Sequence, residues 1–196
     1  MPFSRNAASN HAQGRIYIAL GANQAYRGAG PLENLNHAMG FLGAAGVSAI
    51  ACSRPWRTPA WPDPTDPPFV NACAEVQTDL GPEALMALLH ETESRFGRVR
   101  GRRNAPRTLD LDLIDYRGLV QTPAGEGGLA LPHPRAASRV FVLLPLRDIA
   151  PNWRDPASGA SLQKLIAATP QADRGACRPA GGVFCAAPQH LKRPRA

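Results

Sequence analysis

Two carboxylates one residue apart, Asp110 and Asp112 in "RTLDLDLI", interrupt an apolar run that follows an arginine-rich stretch. In an extended chain alternate side chains share a face, so Thr108, Asp110 and Asp112 project to one side and Leu109, Leu111 and Leu113 to the other. Like charges roughly 7 Å apart on one strand face repel each other and are tolerated best with a cation between them. Hard oxygen ligands suit Mg²⁺, which keeps several waters and takes one or two protein carboxylates plus phosphate oxygens. A lone D-x-D is more often a solvated strand face, so its neighbours decide. From Arg95 to Arg107 there are six arginines and no acid. Arginine forks onto phosphate oxygens, and guanidinium clamps beside carboxylate-held metal are what phosphoryl transfer needs. A polyphosphate ester is the expected substrate, although the sequence has neither G-x-x-x-x-G-K-[ST] nor a kinase-type glycine loop.

The elements that must position these groups follow from periodicity and punctuation. "IYIAL" (16–20) reads as a strand running into a turn at Gly21. A helix follows, with Pro31 in its first turn, the stripe Leu32, Leu35, Met39 and Leu42, and a stop near Gly46. "VSAIACS" (47–53) is a second strand. Six prolines between Pro55 and Pro68 predict a stiff loop, neither helix nor sheet, that forms a preshaped wall. "FVNACAEVQT" (69–78) alternates, with Val70, Ala72, Ala74 and Val76 toward the core and Phe69, Asn71 and Cys73 opposite. A second helix runs from Pro82 to Gly97 with Leu85, Leu88, Leu89, Thr92 and Phe96 buried and with His90 and Glu93 on its flank. After the D-x-D strand, "LPHPRAASR" is a loop or a single helical turn, "VFVLLPLRDIAP" a short helix bent or ended near Pro145, and "SLQKLIAA" a last helix. The order β, α, β, β, α, β predicts an α+β, ferredoxin-like antiparallel sheet with the helices packed on one face and the other face left for a ligand.

A chain of 196 residues with 44% apolar and 19% charged side chains suits one soluble, globular domain. Residues 1–14 read as a flexible N-terminal tail, 15–170 as the domain, and 171–196, with five basic residues and one acid, as a basic C-terminal tail. Without an apolar membrane span or signal-like stretch, a cytoplasmic monomer is expected, with Cys52, Cys73, Cys177 and Cys185 as free thiols and no zinc. The net charge of +7 points to a phosphate-bearing partner, nucleotide or nucleic acid.

At this point the motifs resemble a known family. "RTLDLDLI", preceded by "AP" and followed by "LPHPRAASRVFVLLPL", is similar to the signature of the 6-hydroxymethyl-7,8-dihydropterin pyrophosphokinases of folate biosynthesis, and "YIALGANQ", "RTPAW", "FVNACAEVQT" and "ETESRFGRVR" resemble its other blocks in order, from about Tyr17 to about Pro151. The resemblance implies transfer of pyrophosphate from ATP to the pterin hydroxymethyl group with release of AMP, using two Mg²⁺ ions held by Asp110 and Asp112. It implies that Arg98 and Arg107, with Arg100 as a third, contact phosphate, and that Glu93, His133 and Arg139 line the ATP site. Asn71 would hydrogen-bond the pterin between Phe69 and Phe141, and Thr58, Pro59 and Trp61 would meet its edge. Asn104 stands where the family has a tryptophan and Pro134 where it has a tyrosine.

Two rivals come from other classes. An RNA-binding module would need exposed aromatics on the central strands, which here carry aspartates instead. A Mg²⁺-dependent nucleotidyl transferase or nuclease could use the same D-x-D. The expected partners are ATP and a pterin, with neither nucleic acid nor membrane.

Overall fold

The computed structural model describes residues 14–60, 63, 65–98, 107–123, 125 and 127–185. Trp61, Arg100, Asn104, most of the expected N-terminal tail and the last eleven positions lie outside the described residues.

Among the described residues six strands build one sheet: β1 (Ile16–Ala22), β2 (Ser48–Cys52), β3 (Trp56–Thr58), β4 (Phe69–Gln77), β5 (Asp110–Tyr116) and β6 (Arg178–Pro179). Their order is β5-β1-β4-β3-β6, with β2 also paired to β4, and the pairings are antiparallel. β2 takes the half of β4 from Ala74 to Gln77 and β3 the half from Phe69 to Asn71. Between them Ser53 fills the break: its N–H donates to the Cys73 carbonyl and its Oγ accepts the Cys73 N–H. β3 lies inside the segment expected to be loop. Prolines 55 and 59 flank it, so Trp56, Arg57 and Thr58 keep their N–H groups for pairing.

The two helices that alternate with strands, α1 (Pro31–Ala44) and α2 (Pro82–Arg95), begin with proline at a position whose N–H would have no partner anyway. They cover one sheet face. Leu35, Ala38, Met39 and Leu42 of α1 and Leu85 and Leu89 of α2 pack on Ile16, Ile18, Leu20, Ala72, Ala74, Leu111 and Leu113. Burying each large aliphatic side chain contributes roughly 1.5–3 kcal/mol. Glu93 joins this face, against the expectation that it would sit on the flank; it is 2% exposed.

The opposite face is not left open along its whole length, which corrects the expectation of helices on one face only. α3 (Val140–Ile149) and α4 (Leu162–Ala168) pack there, with Val142, Leu143, Leu146 and Leu162 against Tyr17, Ala19, Cys73 and Ile114. The physical reason is in α3 itself: Val140, Val142, Leu143, Leu144 and Leu146 make it apolar on most sides, so it needs a sheet to lie on. At the end of this face bearing Asp110, Asp112 and Phe69 the side chains are only half-buried, with Asn71 buried beside them.

The segment from Gln171, expected as tail, forms α5 (Gln171–Ala176) and β6 and then crosses the sheet edge. Phe184 is buried in the main core, and Asn36 of α1 donates to the Val183 carbonyl and accepts the Cys185 N–H. Cys185 is joined to Cys52 of β2 by a disulfide, contrary to the expectation of four free thiols. Cys73 and Cys177 are free and buried, and burial pushes the Cys73 thiol far up.

Candidate active site

Asp110 and Asp112 occupy alternate positions of β5, and both lie at the half-buried end of the face on which α3 packs. The register fixes their neighbours. Asp110 lies beside Gly21 of β1, Gly21 beside Asn71 of β4, and Asn71 beside Trp56 of β3; the next row is Asp112, Ala19 and Cys73. Gly21 is required by close approach: a Cβ there would stand 2.6 Å from Asn71 Oδ1. The absent side chain lets Asn71 lie across the sheet, where its Nδ2 donates to Thr58 Oγ1 at 2.8 Å.

The arginines converge on the carboxylates from two directions. Gly97, at a φ of +74°, ends α2 in the left-handed conformation, with the Arg98 N–H on the Glu93 carbonyl and the Gly97 N–H on the Ser94 carbonyl. This turn aims Arg98 back over α2. Its guanidinium pairs with Glu93 Oε1 and, at 2.7 Å, with Asp110 Oδ1. Glu93 Oε1 also accepts the Leu111 N–H at 2.7 Å, so one buried carboxylate ties α2, β5 and the arginine together. Arg107 pairs with Asp110 Oδ2. Its backbone is held by Asn23, whose Oδ1 accepts the Arg107 N–H at 2.7 Å and whose Nδ2 donates to the Pro67 carbonyl at 3.0 Å.

Asp112 meets Arg139 at 3.3 Å and His133 Nε2 at 3.7 Å. Arg139 caps the N-terminus of α3 and lies over the Phe141 ring, 5.4 Å from its centre. His133 Nδ1 accepts the Arg135 N–H, which leaves the ring proton on Nε2 toward Asp112. Burial holds the His133 pKa below its ordinary value although Asp112 opposes the shift; burial likewise lowers Arg139.

Of the residues singled out in the sequence, Glu93, Arg98, Arg107 and Asp110 thus form one ionic group and His133, Asp112 and Arg139 a second, side by side through the alternate positions of Asp110 and Asp112 on β5. Thr58, Phe69 and Asn71 lie beside it across Gly21, half-buried Phe141 follows Arg139 on α3, and Pro59 is exposed after β3. Asn23 and Asn34 were missed: buried Asn34 donates to the Gln24 and Thr108 carbonyls, and the signal for such residues is only a polar side chain within an apolar pattern.

Asp110 and Asp112 are half-buried hard oxygen donors two residues apart, and a divalent ion held by them would replace the contacts their oxygens make here with Arg98, Arg107, Arg139 and His133. Two carboxylates with the remaining positions left to water and phosphate is the Mg²⁺ pattern.

The family model for 7,8-dihydro-6-hydroxymethylpterin-pyrophosphokinase matches residues 17–151. The chain is 40% identical over 153 residues to the 2-amino-4-hydroxy-6-hydroxymethyldihydropteridine pyrophosphokinase of Synechocystis, covering 76% of this chain and 73% of the relative. It is 37% identical to that of Pseudomonas aeruginosa, covering 80% and 92%. Among solved structures, a crystal structure of HPPK-DHPS in complex with substrates superposes with a TM-score of 0.59 at 12% identity, covering 79% of this chain and 43% of that one. Plasmodium falciparum HPPK-DHPS A437G with pteroate gives 0.58 at 10%, covering 82% and 44%. The chain spans less than half the length of these solved chains, which share its fold. With the signature blocks, the paired aspartates and the family match in agreement, this chain belongs to the 7,8-dihydro-6-hydroxymethylpterin-pyrophosphokinase family.

Proposed function

We propose that this protein transfers the terminal pyrophosphoryl group of ATP to the hydroxymethyl group of 6-hydroxymethyl-7,8-dihydropterin and releases AMP, a step of folate biosynthesis. The observation that supports the reading is the row Asp110–Gly21–Asn71, in which an acid of the D-x-D pair and a buried side-chain amide stand side by side across β1. Arg98, Arg107 and Arg139 are within reach of the phosphate chain, and Arg100 is assigned there by family resemblance. Glu93 braces Arg98, and His133 with its Nε2–H is a donor to phosphate oxygen. Asn71, Thr58 and Pro59 meet the pterin edge, with Trp61 assigned there by family resemblance, and Phe69 and Phe141 supply its two stacking faces.

Two Mg²⁺ ions would be held by Asp110 and Asp112, and bound Mg²⁺ neutralises phosphate charge and orients in-line attack. The chain's own residues do the rest. The pterin slot delivers the hydroxymethyl oxygen to the β-phosphorus, and the arginines hold the α- and γ-ends in line, so the barrier falls chiefly through positioning and electrostatics. The strand order, with β1 and β4 central, β5 outside β1 and β2 beside β4, supports a ferredoxin-like core, taken as 15–170, to which α3 and α4 add a second layer. The same reading takes the protein as a monomer acting in the cytoplasm on ATP and a pterin, without nucleic acid. No helix among the described residues is long and apolar enough to cross a membrane.

The test is AMP formation from ATP, Mg²⁺ and hydroxymethyl dihydropterin, abolished by chelation. Replacing Asp110 or Asp112 by Ala is expected to lower kcat on the order of 10³-fold while pterin still binds. Wild-type turnover in either variant would refute the metal assignment, and absence of AMP from the wild type would refute the function.

A further inference from the structure

Asp148 sits in the last turn of α3, where the helix dipole disfavours a negative charge, so local helix stability does not explain it. Its carboxylate is 12% exposed and is fully engaged by one short segment of the opposite wall. Arg54 grips it as a fork, Nε to Oδ2 at 3.0 Å and Nη2 to Oδ1 at 2.9 Å. The Trp56 indole N–H donates to Oδ2 at 2.9 Å. The Arg54 guanidinium also lies over the Trp56 ring, 5.2 Å from its centre, so the three side chains form one closed unit.

The unit joins the two halves of the pterin slot. Trp56 is directly opposite Asn71 in the sheet, and Thr58, two residues on, is opposite Phe69 and holds the Asn71 amide. The Trp56 ring is 6% exposed and packs on Val140 and Leu144, which flank Phe141 along α3. Phe141 therefore rides on α3, whereas Phe69, Asn71 and Thr58 ride on the sheet. The gap between them depends on how α3 is seated. At its N-terminus α3 is tied to the sheet by Arg139 and Asp112. Toward its C-terminus the tie is Asp148.

We propose that Asp148 is a positioning residue for pterin recognition, acting through Trp56 and Arg54 to set the separation of Phe141 from Phe69 and Asn71. The proposal rests on the pyrophosphokinase reading given above. A charge-assisted fork resists sliding better than apolar packing alone, because it fixes direction as well as contact. A flat heterocycle held between two faces is sensitive to that separation, whereas ATP meets α3 only through Arg139, at the end of the helix that Asp112 already holds to the sheet.

Steady-state kinetics with both substrates varied, thermal melting and near-UV circular dichroism test the proposal on Asp148→Ala, Asp148→Asn and Trp56→Phe. Asp148→Ala is expected to raise the pterin KM about 10-fold, with the ATP KM within about 2-fold and kcat little changed. Trp56→Phe keeps the apolar plug but loses the N–H, and it should reproduce most of that rise. Asp148→Asn keeps an acceptor for the indole and should recover part of it. The double variant Trp56→Phe/Asp148→Ala should be no worse than Asp148→Ala, since both act through one bond. Pterin and ATP KM rising together, or an unchanged pterin KM in folded Trp56→Phe and Asp148→Ala variants, overturns the positioning role while the pyrophosphokinase reading stands. A wild type that binds both substrates without forming AMP overturns that reading, and the selective loss of pterin binding in the variants then still decides the positioning role.

Discussion

Gly21 shows how a residue without a side chain shapes the site. It occupies the central strand between Asp110 and Asn71, and the space its Cβ would take is filled by Asn71 Oδ1. A methyl group at 2.6 Å from that oxygen must push the amide aside, and the amide is buried and bonded to Thr58, so it cannot swing away freely. Gly21→Ala is therefore expected to raise the pterin KM by about 10-fold, with a loss of stability on the order of 1–2 kcal/mol. Titrating pterin against the variant while following kcat checks this, and a normal KM would show that Asn71 does not need the space. The sequence made Asp110 and Asp112 legible, because alternation in an apolar strand leaves little freedom for where a side chain points. It read Gly21 only as a turn former. Close approach is a property of two strands 50 residues apart, and no local pattern carries it. Trp56 was likewise legible only as an aromatic in a proline-rich stretch, since its partner Asp148 lies 92 residues away.

Elements were legible where their period was clean and were misread where tertiary packing overrode it. α1, α2, β4 and β5 follow from stripes and alternation. Glu93 did not, because a buried acid is acceptable only with partners, here Arg98 and the Leu111 N–H, that lie outside its own helix. β5 contains a second case. Between the pairs Ile18–Leu113 and Tyr17–Asp115 the register shifts by one residue, and the bulge turns Asp115 toward the α3 layer. There Asp115 accepts the Trp153 indole N–H and the Gly118 N–H, each at 2.8 Å. Burial nevertheless raises its pKa above the usual carboxylate value, more than these donors lower it, and Asp155 adds to the rise. Between the unfolded and the raised folded pKa the native state holds the extra proton, so this group's contribution to stability falls as pH rises through that interval and is flat above it. The melting temperature of the wild type relative to Asp115→Asn should decline as pH rises from the ordinary aspartate pKa through the raised one, and level off above it. A gap that widens with pH would mean that Asp115 is stabilised as the ion.

At the scale of the whole molecule, the departure from expectation is the segment beyond α4. A stretch rich in Ala, Pro, Gly and positive charge has too little apolar surface to read as folded, yet Phe184 alone buries a large ring in the main core and Asn36 holds the backbone on both sides of it. Once those contacts bring Cys185 to β2, its Cα lies 6.0 Å from that of Cys52, within the span a disulfide bridges. Sequence separation hid the pair: 133 residues divide them, and neither has the spacing of a local motif. A cross-link closing so long a loop restricts the unfolded chain strongly, by about 2–4 kcal/mol in typical cases. For a chain of this size that corresponds to roughly 5–15 °C in Tm. Cys185→Ser should thus melt lower than the oxidised wild type, and a reductant should bring the wild type down to the variant without moving the variant further. In a compartment that keeps thiols reduced, the same segment would be held by Phe184, Asn36 and the β3–β6 pairing alone, and the protein would work at the lower of the two stabilities. Equal melting of wild type and Cys185→Ser without reductant would show that the bond contributes nothing and that Phe184 carries the attachment.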